Sequence, residues 1–161
     1  MRALVLLLCA ALAAAVEPPV RGTGRFTYLW FDVYDVELRL APGVPADPAA
    51  QSCRLSFTYL RAFTAAELAK ATTRTVRERI GTHDTAEIER GLAAINALWP
   101  AVARGDILSL DAIPGAGVRV SVNGRELGQV PGDAFARVLF SIWLGGDPID
   151  VDLRDALMGG A

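Results

Sequence analysis

The sequence predicts an α+β domain in which an antiparallel sheet carries helices on one face, an open-faced β-sandwich. Three observations lead there. Period-2 apolar patterns and period-3.6 patterns alternate in blocks, in the order three strands, two helices, three strands, two helices. The strands within each block are too close for crossover connections, so they pair as antiparallel hairpins. Helices that arrive in separate blocks then pack together on one side of the sheet.

The first strand pattern covers residues 25–31, with Phe26, Tyr28 and Trp30 on one side and Arg25, Thr27 and Leu29 on the other. The first set reads as core, with the wall of a pocket as its alternative. Alternation resumes over 33–40, where Tyr34, Val36, Leu38 and Leu40 oppose Asp35, Glu37 and Arg39. A reversal centred on Trp30 and Phe31 joins the two. By strand parity Asp32 and Asp35 fall on opposite faces, which keeps them from sharing a proton. Prolines at 42, 45 and 48 mark a loop, and residues 54–60 form a third strand with Leu55, Phe57 and Tyr59 on one face.

Thr64 and Glu67 then have capping-box spacing, and Leu68, Thr72, Val76 and Ile80 recur every four residues until Gly81. Asp84 and Glu87 repeat the box before Ile88, Leu92, Ile95 and Trp99, a stripe stopped by Pro100. Strands follow at 107–113, 118–122 and 126–130. Asn123-Gly124 between the last two suits a type I′ turn, which needs positive φ at both central residues. Pro131-Gly132-Asp133 opens a third helix that is apolar on two adjacent faces, from Phe135 to Trp143. Asp150 caps a short fourth helix ending near Leu157.

Residues 1–15 read as a cleaved export signal, leaving residues 16–161 as one domain. Arg2 gives the positive start, residues 3–12 an apolar run too short to span a bilayer, and Ala13-Ala14-Ala15 a cleavage site. The expected location is periplasmic or extracellular, with no membrane-spanning segment after cleavage. Removal of Cys9 leaves Cys53 alone, a small core side chain rather than half of a disulfide.

Composition narrows the chemistry. With 16 basic and 18 acidic residues scattered in sign, a net charge of −2 offers no nucleic-acid footprint. One histidine, His83, lies in a loop between two helices, which disfavours both a Ser/His/acid nucleophile and a His/Cys zinc site. The glycine pairs do not make a phosphate-cradling loop. No cofactor or metal is expected.

Arg25 is the residue singled out. It follows Gly22-Thr23-Gly24 at the mouth of the first strand. With the reversal at Trp30 and Phe31, it stands opposite Val36 and diagonal to Tyr34, on one sheet face. A guanidinium and a phenol among Leu29, Val36 and Leu38 would orient a carboxylate or carbonyl at one end of an apolar cleft. The plainer alternative is a strand-end arginine reaching water beside a core tyrosine. Tyr59 is a further candidate on the third strand, with a core role as its alternative.

These residues carry a family resemblance. The stretch 25–38 (Arg-Phe-Thr-Tyr-Leu-Trp-Phe-Asp-Val-Tyr-Asp-Val-Glu-Leu) resembles the opening hairpin of bacterial chalcone isomerase-like proteins. Phe57-Thr58-Tyr59-Leu60-Arg61, Gly105-Asp106, Val122-Asn123-Gly124, Phe135-Ala136, Ile142-Trp143-Leu144-Gly145 and Leu153-Arg154 follow in the family's order, from about residue 22 to 159. The resemblance implies an open-faced β-sandwich with a cleft between sheet and helices. In plant chalcone isomerases an arginine near the first strand polarises a flavonoid, and in non-catalytic relatives an arginine and a tyrosine hold a fatty-acid carboxylate. Arg25 matches the arginine by its Gly-x-Gly-Arg setting, and Tyr34 matches the tyrosine.

Where the plant enzymes place a catalytic tyrosine near the start of the first helix, this chain has Ala65-Ala66, and the asparagine further along has no clear counterpart. The leading expectation is an exported, non-catalytic protein that binds a small apolar molecule, such as a fatty acid, through Arg25, Tyr34 and Tyr59. The alternatives are an intramolecular lyase acting on a phenolic enone, with Arg25 as electrophile, and an interaction module without a ligand.

Overall fold

A computed structural model describes residues 17–81 and 85–160. The expected export signal at 1–15, the loop histidine His83 and the second capping aspartate Asp84 lie outside the described residues. Among those described, no helix is long and apolar enough to cross a membrane.

Among the described residues six strands form one antiparallel meander in sequence order: β1 Val20–Tyr28, β2 Phe31–Arg39, β3 Cys53–Tyr59, β4 Ile107–Ile113, β5 Gly117–Val122 and β6 Arg125–Val130. Helices α1 Ala65–Arg77 and α2 Thr85–Asn96 lie between β3 and β4, and α3 Asp133–Leu144 and α4 Val151–Leu157 follow β6. All four cover one face of the sheet, as expected. Strand alternation explains the layering. In β3, Cys53, Leu55, Phe57 and Tyr59 are buried beneath the helices, while Arg54, Ser56 and Thr58 face the other way. That open face is a polar ladder, with Arg54 on Asp111 at 2.6 Å, Ser56 beside Ser109 at 3.1 Å and Arg39 on Glu37 at 2.7 Å.

Local signals place the ends of the elements. The Thr64 hydroxyl accepts from the Glu67 amide while the Glu67 carboxylate accepts from the Thr64 amide, the reciprocal box read from the sequence. Asp150 accepts from the Leu153 amide at 3.0 Å and starts α4. Asn123 and Gly124 have φ of 50° and 80°, as the β5–β6 turn requires.

The first hairpin departs from expectation. The reversal is the pair Leu29-Trp30, not Trp30-Phe31, with Leu29 at φ 56°. The pairing runs Arg25↔Asp35 and Phe26↔Tyr34, then jumps to Thr27↔Asp32, so Val33 is an extra residue in β2. A bulge of this kind inverts strand parity beyond it. Asp32 therefore comes to the same face as Asp35, contrary to the parity reading. The aromatic stripe splits as well: Phe26 is buried, but Tyr28 and Trp30 at the apex are exposed, Trp30 by 91%.

Each helix meets different neighbours. α4 packs on β1 and β2, α3 on β5, and α2 on β6, whereas α1 leans on α2 and α3. The close seat of α4 explains Gly22 and Gly24. A β-carbon at Gly22 would lie 2.2 Å from the Ala156 carbonyl oxygen, and one at Gly24 would lie 2.5 Å from a Leu153 methyl. The Gly-x-Gly that precedes Arg25 is thus a helix-packing device.

Candidate functional site

The hollow of the molecule lies where α1 stands away from the sheet. It is a cleft of about 680 Å³, within the range of small-molecule sites. Its floor is the apex-side half of β1–β4, with Phe26, Tyr34, Phe57, Tyr59 and Leu108 among the residues there. Its roof is the inner face of α1, through Leu68, Thr72 and Thr75, with Arg79 in the turn just after the helix, and Trp99, Trp143 and Ile149 close its flanks.

The lining is mainly apolar, and its inward-facing helical threonines add little polarity. Thr72 Oγ1 donates to the Leu68 carbonyl at 2.8 Å, and Thr75 Oγ1 to the Ala71 carbonyl at 2.9 Å. A helical threonine bonded to the preceding turn has used its donor on its own backbone. The floor is a rigid aromatic pavement. Tyr34 stacks on Phe26 at a ring-centroid separation of 5.2 Å and meets Phe57 edge-on at 5.1 Å, while Phe57 meets Trp143 at 4.8 Å. A bridge between Phe63 and Val102 ties the lead-in to α1 to the lead-in to β4.

A few polar groups break this lining. The Tyr34 hydroxyl accepts from Trp143 Nε1 at 2.9 Å, which leaves its own proton for another acceptor. Burial pushes the Tyr34 phenol well above its ordinary range, and burial does the same to Tyr59. Both are therefore neutral donors at any physiological pH. Trp99 is buried, and its Nε1–H has no acceptor. A buried N–H without a partner costs about 1–3 kcal/mol, so a ligand acceptor there would be rewarded. Arg79 and Arg74 are the cations of the lining, which also includes Glu67, Glu78 and Asp150. The Arg79 side chain is only 11% exposed, and its Nη1 lies 3.6 Å from the Glu78 carboxylate. Nε donates to the Asp147 carbonyl at 3.0 Å and Nη1 to the Thr75 carbonyl at 2.9 Å, while Nη2 has no hydrogen-bond partner among the described residues. An arginine anchored through two nitrogens and open at the third is pre-organised to receive an anion.

Of the residues singled out by sequence, Tyr34 and Tyr59 line the cleft and Arg25 does not. The register pairs Arg25 with Asp35, one position from the expected Val36, and so turns it to the open face, away from Tyr34. There Nε bonds Asp35 at 2.6 Å and Nη1 bonds Asp32 at 3.0 Å, with half of the side chain exposed. Donation from Thr27, with a further bond from Arg25, holds the Asp32 carboxyl below its usual range. The solvent-facing part of the plainer alternative describes this geometry, but the guanidinium is paired with two aspartates and Tyr34 lies on the other face. Arg79 and Trp99 were not singled out by sequence. Arg79 had a signal: it falls four residues after Thr75 and seven after Thr72, so it continues the inner stripe of an amphipathic helix into the turn that ends it. Trp99 had none, because a tryptophan ending an apolar stripe reads as core whether or not its N–H is paired.

Cys53 is buried beneath the helices and its thiol is pushed up to about 12, chiefly by burial, which leaves it a packing side chain. Among the described residues no cluster of side chains could hold a metal ion.

Comparison with known proteins adds two findings. The sequence profile of the family described as chalcone isomerase-like matches residues 20–159. Among solved structures, the crystal structure of a fatty-acid binding protein of Arabidopsis thaliana is similar with a TM-score of 0.75 and 15% identity, over 89% of this chain and 88% of that chain. At that identity the likeness establishes the fold. No curated protein matches by sequence.

Proposed function

The chain belongs to the chalcone isomerase-like family, and from that premise we propose that it is a non-catalytic binding protein for a small apolar molecule with one polar end, such as a fatty acid. The observation that carries the reading is the cleft beneath α1. It is mainly apolar, of small-molecule size, and supplied with a buried donor that has no acceptor of its own. An acyl chain would lie along Phe26, Phe57, Leu68 and Leu108, and its carboxylate would take Nη2 of Arg79 or the neutral donors Tyr34, Tyr59 and Trp99. That a structurally similar plant protein is a fatty-acid binding protein supports the choice of ligand class.

Arg25 has no part in this arrangement. An electrophilic arginine for an intramolecular lyase would have to touch the ligand, and Arg25 is directed to the opposite face of the sheet. Cleavage after residue 15 and action outside the cytoplasm complete the proposal, supported by the Arg2, apolar run and Ala13-Ala14-Ala15 pattern.

Native mass spectrometry of the purified protein, with solvent extraction of bound lipid, tests the reading. The expected result is a one-to-one adduct that extraction identifies as an apolar acid. Protein that purifies empty and takes up no fatty acid on titration would remove it.

A further inference from the structure

The cleft runs lengthwise under α1. Phe63, just before the helix, and Arg79, just after it, both line it. Arg79 folds back, so that its Nη1 reaches the Thr75 carbonyl. From Thr64 to Thr75 the helix advances about 16 Å, at roughly 1.5 Å per residue. One acyl chain of a bilayer reaches about 15 Å, half of a hydrocarbon core of roughly 30 Å. The slot under α1 therefore has the length of one such chain laid parallel to the helix axis.

Its two ends differ in chemistry. At the far end Arg74 and Arg79 stand with Glu78 and Asp150, so net charge selects nothing there. The selecting feature is Nη2 of Arg79, open while Nε and Nη1 are both used. At the near end Tyr59 meets Phe63 at a ring-centroid separation of 5.7 Å. The lining there has no cation among the described residues, and its one charged side chain, Glu67, is held by the Thr64 amide. Tyr59 is only 6% exposed and lines the cleft, yet its hydroxyl makes no hydrogen bond among the described residues. A phenylalanine would pave the floor equally well, so packing does not account for that hydroxyl. A plain alkyl tail would strip water from it and return no acceptor, which is unfavourable. An uncharged oxygen on the tail would supply the acceptor.

We propose that the cleft selects an acyl chain oxygenated near its far end, a hydroxy or oxo acid lying along α1. The carboxylate takes Nη2 of Arg79, and the distal oxygen accepts from the Tyr59 hydroxyl. This assignment rests on the proposed ligand-binding cleft and adds to it which acid is preferred and which way round it lies.

The test compares hexadecanoic acid with ω-hydroxyhexadecanoic acid by calorimetry, on the full chain and two variants that thermal unfolding shows to be folded. In the parent the hydroxy acid should bind about fivefold tighter or better, although its hydroxyl is the more strongly hydrated group. Tyr59→Phe should reverse that order, because the same hydroxyl is then buried without a partner. Arg79→Gln should weaken both acids about tenfold and leave their ratio unchanged, since the two contacts lie at separate ends. A parent that binds the two acids equally, or prefers the plain one, would overturn the distal-oxygen assignment and leave the cleft reading in place. A preference for the hydroxy acid that survives Tyr59→Phe would overturn Tyr59 as its partner. Parent-like affinity for both acids in Arg79→Gln would overturn the placement of the carboxylate. A parent that binds neither acid would overturn the cleft reading itself.

Discussion

Two helices of similar length on the same sheet face behave differently, and the difference makes the site. α3 is apolar on adjacent faces and buries Phe135, Val138, Leu139, Phe140 and Ile142. It reaches the sheet and fills the space beneath it. α1 is polar over most of its surface and buries only Thr75 and Val76, so it rests on α2 and α3 and leaves the floor of β1–β4 uncovered. A helix with this little apolar surface cannot fill the layer below it. The cleft is therefore a consequence of sequence composition in one helix, and the filled half is the frame that keeps it open.

The contrast can be broken most forcefully on the filled side. Phe135 is wholly buried, and Phe135→Ala should cost about 3–5 kcal/mol in urea unfolding, since its neighbours cannot collapse into the gap. A loss under about 1 kcal/mol would mean that the two halves are packed alike.

Alkaline titration probes the floor next. Tyr34 and Tyr59 hold their protons more tightly folded than unfolded, chiefly because they are buried. Their contribution to stability is complete below the unfolded tyrosine pKa of about 10 and is lost as pH rises above it, by up to about 1.4 kcal/mol per pH unit for each phenol. Tyr34→Phe should flatten this decline, leaving the Tyr59 part. A decline unchanged in the variant would show that Tyr34 ionises as readily folded as unfolded.

Trp99→Phe sharpens the comparison on the hollow side. It removes a buried N–H that has no acceptor, so stability should stay within about 1 kcal/mol of the parent. Fatty-acid affinity should fall about threefold to tenfold if that donor meets the ligand. The smallest effect is expected on the outer face. Arg25→Ala breaks an exposed pairing with Asp32 and Asp35, and it should leave ligand affinity unchanged and shift thermal unfolding less than any variant above.

How far the sequence could be read follows from which forces are local. Caps and turns are local, so Thr64 with Glu67, Asp150 and Asn123-Gly124 were legible and lie where their spacing put them. The layer order followed from hairpin spacing. The register of the first hairpin was not legible, because Leu29 at positive φ and the extra residue Val33 exchange one irregularity for another, and neither carries a glycine or proline to announce it. That single step moved Arg25 to the open face and brought Asp32 to the side of Asp35. The cleft was legible only in part. Tyr34 and Tyr59 follow from strand parity, but the stand-off of α1, and with it the roles of Arg79 and Trp99, depends on packing between helices that no short window contains.

The account turns on whether the space under α1 receives a ligand, and a substitution that fills it addresses this most directly. Thr72 faces that space from the roof, and Thr72→Trp places an indole there without disturbing the core under α3. Parent and variant are titrated with the same long-chain fatty acid by calorimetry, with thermal unfolding as the control on folding. Saturable one-to-one binding in the parent, weakened at least about a hundredfold in a variant that melts as the parent does, is the predicted result. Equal binding by both folded proteins would place the ligand elsewhere and contradict the account.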